Sequence, residues 1–147
     1  RDPEAGMLQA CRELGVSFFA YSPLGRGFLT GRIADPGQLA EGDFRKSNPR
    51  FQGENLARNQ VIADTVRRFA VEKACTPAQL AIAWLLAQGP EVIPIPGAKR
   101  VAWLNENLGA VDVSLSADDL ARISAALPAG IAAGERYTAE GMKGVNV

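Results

Sequence analysis

The chain has 147 residues, 47% of them hydrophobic and 22% charged, which is ordinary for a soluble globular protein of one domain. Its 16 Lys and Arg residues balance 16 Asp and Glu residues, so neither nucleic acid nor an anionic membrane is an expected partner. No apolar run approaches the roughly 20 residues of a membrane span, and the sequence opens without a signal-peptide pattern, so we expect a cytoplasmic protein.

The first predicted elements are a helix, a strand and a long loop. Apolar residues recur at helical spacing from Met7 to Leu14, and Gly15 is a natural stop. The run from Val16 to Tyr21 is almost wholly apolar, which predicts a strand covered on both faces in a parallel sheet. Residues 30–55 then lose this periodicity and are rich in Gly, Pro, Asn, Asp and Arg, which predicts a long loop of the kind that is usually functional.

Helices dominate the second half of the sequence. Helical spacing resumes over residues 56–70, and Thr76-Pro77-Ala78-Gln79 is a capping box with proline at the first helical position. The helix that follows, Leu80 to Leu86, is apolar on nearly every side and should be well buried. Val92 to Ile95 predicts a second short strand.

The remainder of the sequence predicts a short helix over residues 101–108, a helix capped by Ser116, and an irregular tail over residues 129–147. Helices alternating with strands indicate an α/β fold with a parallel sheet. Since the pattern supports two strands, which do not make a stable sheet, the chain is predicted to be part of something larger.

Each predicted strand runs into glycine and then a cation, in Tyr21-Ser22-Pro23-Leu24-Gly25-Arg26-Gly27 and in Ile95-Pro96-Gly97-Ala98-Lys99-Arg100. Glycine lets a phosphate approach the backbone, and a helix N-terminus and a cation add favourable electrostatic contacts, so each segment has the features of a phosphate-binding site. In β/α barrels the loops after the last two strands, with a short extra helix, frequently form such a site. The alternatives are plain turns with solvated cations, and Gly25-x-Gly27-x-x-x-Gly31 misses the dinucleotide fingerprint by one residue.

Four further residues have a ligand-binding and a structural interpretation. Tyr21 can stack on a planar ring or belong to the core, and Trp103 is equally ambiguous. Glu106 and Asn107 can hydrogen-bond a base edge, although Asn107 can also be a helix C-cap.

No catalytic constellation is visible in the sequence. Histidine is absent, which removes the commonest general base, and the two cysteines lack metal-binding spacing. Tyr137 and Lys143 lie in the tail with nothing to pair with. We therefore assign no catalytic residue and no metal ligand.

These motifs resemble the C-terminal part of an aldo-keto reductase. The resemblance rests on Ala20 to Gly31, on Asn48-Pro49-Arg50-Phe51, and on Ile93 to Arg100 with Leu104-Asn105-Glu106-Asn107. The chain is most similar to the bacterial and plant reductases related to potassium-channel β-subunits. The family fold is a (β/α)8 TIM barrel, so the resemblance implies that residues 1–147 form one C-terminal segment with strands seven and eight, the loop 30–55 over the cofactor, and the tail 129–147.

The resemblance also implies an NADPH site. Tyr21 would stack on the nicotinamide, and the segment after it would hold the pyrophosphate. Gly97, Lys99 and Arg100 would hold the adenosine ribose and its 2′-phosphate. Glu106 and Asn107 would bind the adenine, beside Trp103, where a polar residue is common in the family. The pyrophosphate residues are Ser22, Pro23, Leu24, Gly25 and Gly27, with Arg32 as the first candidate for a phosphate contact from the long loop and Arg45 or Lys46 as further ones.

The sequence departs from the family in one large respect. The family's catalytic Tyr, Asp, Lys and His come from earlier strands, and none matches a residue of this chain. We therefore expect an NADPH-dependent oxidoreductase that reduces aldehydes or ketones, in which this chain supplies the cofactor-binding part and is inactive alone. The remainder of the barrel, or a second chain, would be needed for folding. The alternatives are a non-enzymatic NADPH-binding regulatory subunit and an independent domain that pairs half-barrels.

Overall fold

The structure, a computed structural model, describes residues 1–33 and 35–145. Residue 34 of the predicted loop and residues 146–147 of the predicted tail lie outside the described residues. The elements alternate as the sequence predicts, with both strands and the helix over residues 101–108 confirmed. The bounds are α1 Met7–Leu14, β1 Phe18–Tyr21, α2 Gly53–Glu72, α3 Pro77–Leu86, β2 Val92–Ile95, α4 Val101–Leu108, α5 Ala117–Ala126 and α6 Ala139–Met142.

Local signals in the sequence account for several helix ends. Thr76 and Gln79 form the predicted capping box at the start of α3, and Ser116 and Asp119 form another at the start of α5. Each box satisfies backbone N–H groups that have no partner inside the helix. Gly15 ends α1 in the left-handed conformation, which glycine adopts without steric cost.

Strands β1 and β2 pair in parallel, with Phe18 opposite Val92 and Tyr21 opposite Ile95. One face of this pair is buried, since Ala20 and Val92 pack with Leu8 of α1. The prediction that β1 is covered on both faces is wrong for the described residues. Side chains on its other face are open to solvent, because nothing in residues 1–33 and 35–145 covers them. These exposed side chains are Phe19, Tyr21, Ile93 and Ile95.

Helices α2, α3 and α5 enclose the largest apolar cluster. Val66 and Phe69 of α2 meet Leu80 of α3 and Ile123 of α5. Burial of α3 is less complete than its apolar sequence predicts, since Leu80 is buried whereas Leu86 is 39% exposed. None of the described helices is long and apolar enough to cross a membrane.

The predicted long loop is more ordered than its composition indicates. Residues 30–55 contain three short 3₁₀ turns and the start of α2. Asp35, Asp43 and Asn48 each accept a hydrogen bond from the backbone N–H two residues later, which builds these turns. The rings of Phe28 and Phe51 pack edge to face at 5.3 Å and anchor the loop on α2.

As predicted, the tail is largely irregular in its described residues, 129–145, although it contains the short helix α6. Buried Asn59 of α2 holds it: the Ala133 N–H donates to Oδ1 at 2.7 Å, and Nδ2 donates to the Ala133 carbonyl at 2.8 Å. The same Nδ2 donates to the Arg50 carbonyl at 3.0 Å. The buried side-chain amide of Asn59 therefore bonds the backbone of the tail in the way that a neighbouring strand would. No local pattern in the sequence reveals this contact.

Candidate functional site

The site lies at the edge of the sheet where both strands end. Because β1 and β2 are parallel and Tyr21 lies opposite Ile95, the segments that follow them start side by side. The two predicted phosphate-binding segments, far apart in sequence, are thus neighbours in the structure. This edge is also where ligands bind in α/β folds with parallel strands.

Four residues of the segment after β1 have left-handed backbone. Ser22, Gly25, Arg26 and Gly27 have φ angles of 49°, 56°, 60° and 90°. Two of these residues are not glycines, so the conformation is strained there, and such strain often marks a ligand-binding site. The N–H groups of Gly25 and Gly27 turn back onto the carbonyls of Ser22 and Leu24. Within the described residues, the N–H groups of Leu24 and Arg26 make no such bond and stay available.

The segment after β2 presents exposed cations at the start of α4. Gly97, Lys99 and Arg100 are all exposed, and no side chain lies within 4 Å of where a Gly97 Cβ would sit. The Arg100 guanidinium lies over the ring of Trp103, 5.0 Å from its centroid. This contact orients one cation by a cation–π interaction beside the open first turn of α4.

An ion pair joins the loop that follows the first segment to α4, which follows the second. The Nη2 atom of Arg32 lies 2.7 Å from Oε2 of Glu106 on α4. Asn107, the next residue, is 7% exposed, and its side chain makes no hydrogen bond within residues 1–33 and 35–145. The structure therefore brings together three residues predicted for the cofactor site, and it leaves the amide of Asn107 free.

The 3₁₀ turn over Phe44–Ser47 approaches the same edge. Arg45 binds Asp43 through two hydrogen bonds of 2.9 and 2.6 Å, and its Nη1 donates to the Arg26 carbonyl at 3.1 Å. Hydrogen bonds from Arg45, with a smaller contribution from the charge of Lys99, lower the pKa of Asp43 to about 2. Arg45 is thus committed to a carboxylate, whereas Lys46 is exposed.

Tyr21 belongs to a cluster that sequence analysis missed. Its hydroxyl oxygen accepts from Nη1 of Arg136 at 3.1 Å and from the hydroxyl of Tyr137 at 3.4 Å. The Arg26 guanidinium lies over the ring of Tyr137, 4.9 Å from its centroid. The interpretation of Tyr137 as a residue with nothing to pair with is therefore wrong, and Lys143 is also paired, with Glu140 at 2.6 Å.

This cluster changes the acidity of both phenols. Burial raises the pKa of Tyr21, but the hydrogen bonds from Tyr137 and Arg136 and the nearby positive charges outweigh burial and lower it. The hydrogen bond that Tyr137 donates to Tyr21, together with burial, raises the pKa of Tyr137. No sequence periodicity leads to Arg136 and Tyr137, since their tail reaches β1 through Asn59 and not through a repeating apolar face.

Comparison with known proteins identifies the family. The model of the aldo/keto reductase family matches residues 1–128. The chain is 45% identical, over 92% of its length, to the aldo-keto reductase yakc [NADP(+)] of Schizosaccharomyces pombe. It is 44% identical, over 93% of its length, to the probable aldo-keto reductase 1 of Glycine max. The chain spans 40% and 39% of the lengths of these two relatives.

A solved structure leads to the same result. The chain superposes on the glycerol dehydrogenase of Gluconobacter oxydans with a TM-score of 0.77 and 25% identity, covering 86% of this chain and 38% of that one. The α/β arrangement of the described residues is consistent with part of the TIM barrel of such reductases. The chain belongs to the aldo/keto reductase family.

Proposed function

We propose that this chain is the C-terminal, NADPH-binding part of an aldo-keto reductase that reduces small aldehydes or ketones. The observation that carries the proposal is that the two strand-end segments start side by side at one edge, with the ion pair of Arg32 and Glu106 joining the loop and the helix that follow them. One extended anionic ligand can contact both segments at once. A dinucleotide with a phosphate at each region is such a ligand.

The backbone after β1 fits the pyrophosphate. Consecutive N–H groups near left-handed residues can form a concave anion site, and within the described residues those of Leu24 and Arg26 make no backbone hydrogen bond. Gly27 has a φ of 90°, and an added Cβ there would lie 3.4 Å from Arg45 Nη1 and from Ile33 Cδ1. Glycine is therefore favoured at this position both by conformation and by space. The proposed pyrophosphate residues are Ser22, Pro23, Leu24, Gly25 and Gly27, with Arg32 beside them.

The segment after β2 fits the adenosine end of the cofactor. Lys99 and Arg100 would bind the 2′-phosphate, which distinguishes NADPH from NADH. Glu106 and the free amide of Asn107 would meet the adenine, and Gly97 allows close approach. Trp103 would act through Arg100, because its ring already contacts that guanidinium.

Tyr21 would orient the nicotinamide by stacking. Its ring is held by the hydrogen bonds that its hydroxyl accepts from Arg136 and Tyr137. When bound, NADPH supplies the hydride for carbonyl reduction. The residues of this chain would bind and orient the cofactor, and the proton donor would come from the strands that complete the barrel.

The open sheet supports the proposed incompleteness of the domain. Phe19 is 60% exposed and Ile95 is 48% exposed, on the face that a closed barrel would bury. Residues 1–147 would thus form one segment of a barrel domain, completed by its other strands or by a second chain. We call the chain together with those strands the complete protein, and we propose a cytoplasmic location for it.

Cofactor titration of the complete protein tests the proposal. NADPH fluorescence should rise saturably on binding, and replacement of both Arg32 and Glu106 by Ala should weaken binding without unfolding the protein. Replacement of the exposed ion pair of Arg122 on α5 with Glu72 on α2 by Ala is the matched control. Absence of saturable binding would refute the proposal, and binding without reduction of any aldehyde or ketone would favour the non-enzymatic module.

A further inference from the structure

A cavity of about 470 Å³ lies on the helix-facing side of the sheet. Its walls include Phe18 of β1, Val66 and Phe69 of α2, and Trp84 and Leu85 of α3. Pockets of this size and apolar character are typical of sites for small organic molecules. Ser22, Pro23 and Gly25 line it as well, so it borders the proposed pyrophosphate contacts, whereas Lys99 and Arg100 at the adenosine end do not line it.

Positive charge collects at one end of this cavity. Arg26, Arg50 and Arg136 all line it, although they come from three separate segments of the chain. Arg50 donates Nε to the Gly134 carbonyl at 3.2 Å, and Arg26 donates Nη1 to the Arg136 carbonyl at 2.8 Å. Both guanidinium groups keep further N–H donors beyond these bonds.

The carboxylates near this end do not balance the three cations. Asp2 forms an ion pair with Arg136, whereas Glu4 and Asp43 are taken by Arg1 and Arg45. Three guanidinium groups therefore face one carboxylate that is not already engaged elsewhere. Burial is the main cause that lowers the pKa of Arg50, and repulsion from Arg136 and Arg26 adds to it.

A buried donor adds to this picture. The indole Nε1 of Trp84 is buried and has no hydrogen-bond partner within the described part of the chain. A buried N–H group without a partner is costly, and a native structure usually supplies an acceptor for it. Trp84 lines the same cavity, so an oxygen atom of a bound ligand can accept a hydrogen bond from its indole N–H.

We propose that this cavity binds an amphipathic carboxylate, with its carboxylate among Arg26, Arg50 and Arg136 and its hydrocarbon part between the sheet and helices α2 and α3. Guanidinium groups match the planar geometry of a carboxylate, which selects this head group. The apolar walls select a hydrocarbon body, because a small hydrophilic anion would leave them in contact with water.

Quenching by a brominated ligand tests the proposal directly. The complete protein is titrated with bromododecanoate while tryptophan fluorescence is followed. We expect saturable quenching that is lost in Trp84→Phe, since Trp84 lines the cavity and Trp103 does not. Bromododecanol, which has the same chain without the charge, should bind at least about tenfold more weakly, as loss of one charge-assisted contact implies.

Charge variants separate a head-group site from general hydrophobic binding. Arg50→Gln and Arg136→Gln should each weaken bromododecanoate by about tenfold and leave bromododecanol unchanged. Arg50→Lys keeps the positive charge and should retain most of the affinity for bromododecanoate. A loss of affinity in Arg50→Gln but not in Arg50→Lys would therefore come from the lost charge and not from displacement of the tail that Arg50 contacts. Asp2→Asn removes the competing carboxylate and should tighten binding. Arg67→Gln, on the exposed side of α2, is the matched control and should change nothing.

Two results would overturn the proposal. One is the absence of saturable quenching in the complete protein. The other is equal affinity for the acid and the alcohol, with both lost together in the arginine variants.

Discussion

The preference for NADPH over NADH depends on two adjacent cations. Lys99 and Arg100 are exposed, and Arg100 is oriented by its contact with Trp103 at 5.0 Å. We expect replacement of both by Ala to weaken NADPH binding by the complete protein and to leave NADH binding almost unchanged. The reason is that NADH lacks the 2′-phosphate on which both side chains would act.

The expected magnitude follows from two charge-assisted hydrogen bonds. Because both cations are exposed, each bond is taken at the lower limit for charged groups, so the pair contributes about 3 kcal/mol. That corresponds to about a hundredfold change in the dissociation constant. A tenfold loss is the smallest effect that would still require a direct contact to the phosphate.

The assay is a titration of each cofactor, followed by the fluorescence of its nicotinamide. Replacement of Arg67 and Arg68 by Ala is the matched control, since these are adjacent exposed cations on α2. The double control variant should bind both cofactors as the unmodified protein does. Equal losses of NADPH and NADH in the Lys99 and Arg100 variant would show that these residues support the fold and do not read the phosphate.

Three further predictions concern the tail, assembly and activity. Asn59→Ala leaves buried backbone groups unpaired, so it should lower the free energy of unfolding by about 3 kcal/mol and speed tryptic cleavage after Arg136. Asn55→Ala, which removes one hydrogen bond to Pro49, is the control and should change neither quantity. The isolated chain should associate or lack a cooperative thermal transition, because both strands have free edges; a dilute monomer that melts cooperatively in a sedimentation-controlled experiment would contradict this. The purified chain should oxidise no NADPH in the presence of aldehydes, and carbonyl-dependent turnover free of contaminants would disprove that expectation.

Much of the local structure follows from short-range signals. The capping residues Thr76 and Ser116 start their helices as predicted, because a side-chain oxygen next to the first turn satisfies N–H groups whatever the rest of the fold does. The strand at Val92 to Ile95 and the glycine stop at Gly15 are also read from neighbouring residues. The family was recognisable for the same reason, since its motifs are contiguous.

Predictions failed where the partner is distant in sequence. Composition predicts the loop over residues 30–55 and the irregular tail, but it does not reveal the contacts to α2, such as those of Phe51 and Asn59, that hold them in place. The exposure of Phe19 could not be read from β1 either. An apolar strand looks the same in sequence whether one or both of its faces are covered.

The sequence by itself determined the family, the order of helices and strands, and the residue types at the two strand ends. Those properties depend on contiguous motifs and on the conformational preferences of adjacent residues. The tertiary structure decided which distant groups meet: Arg32 with Glu106, Tyr21 with Arg136 and Tyr137, and the three arginines at one end of the cavity. These contacts depend on how helices and loops pack in three dimensions. Contacts between residues distant in sequence produce no periodic pattern in the sequence from which they could be predicted.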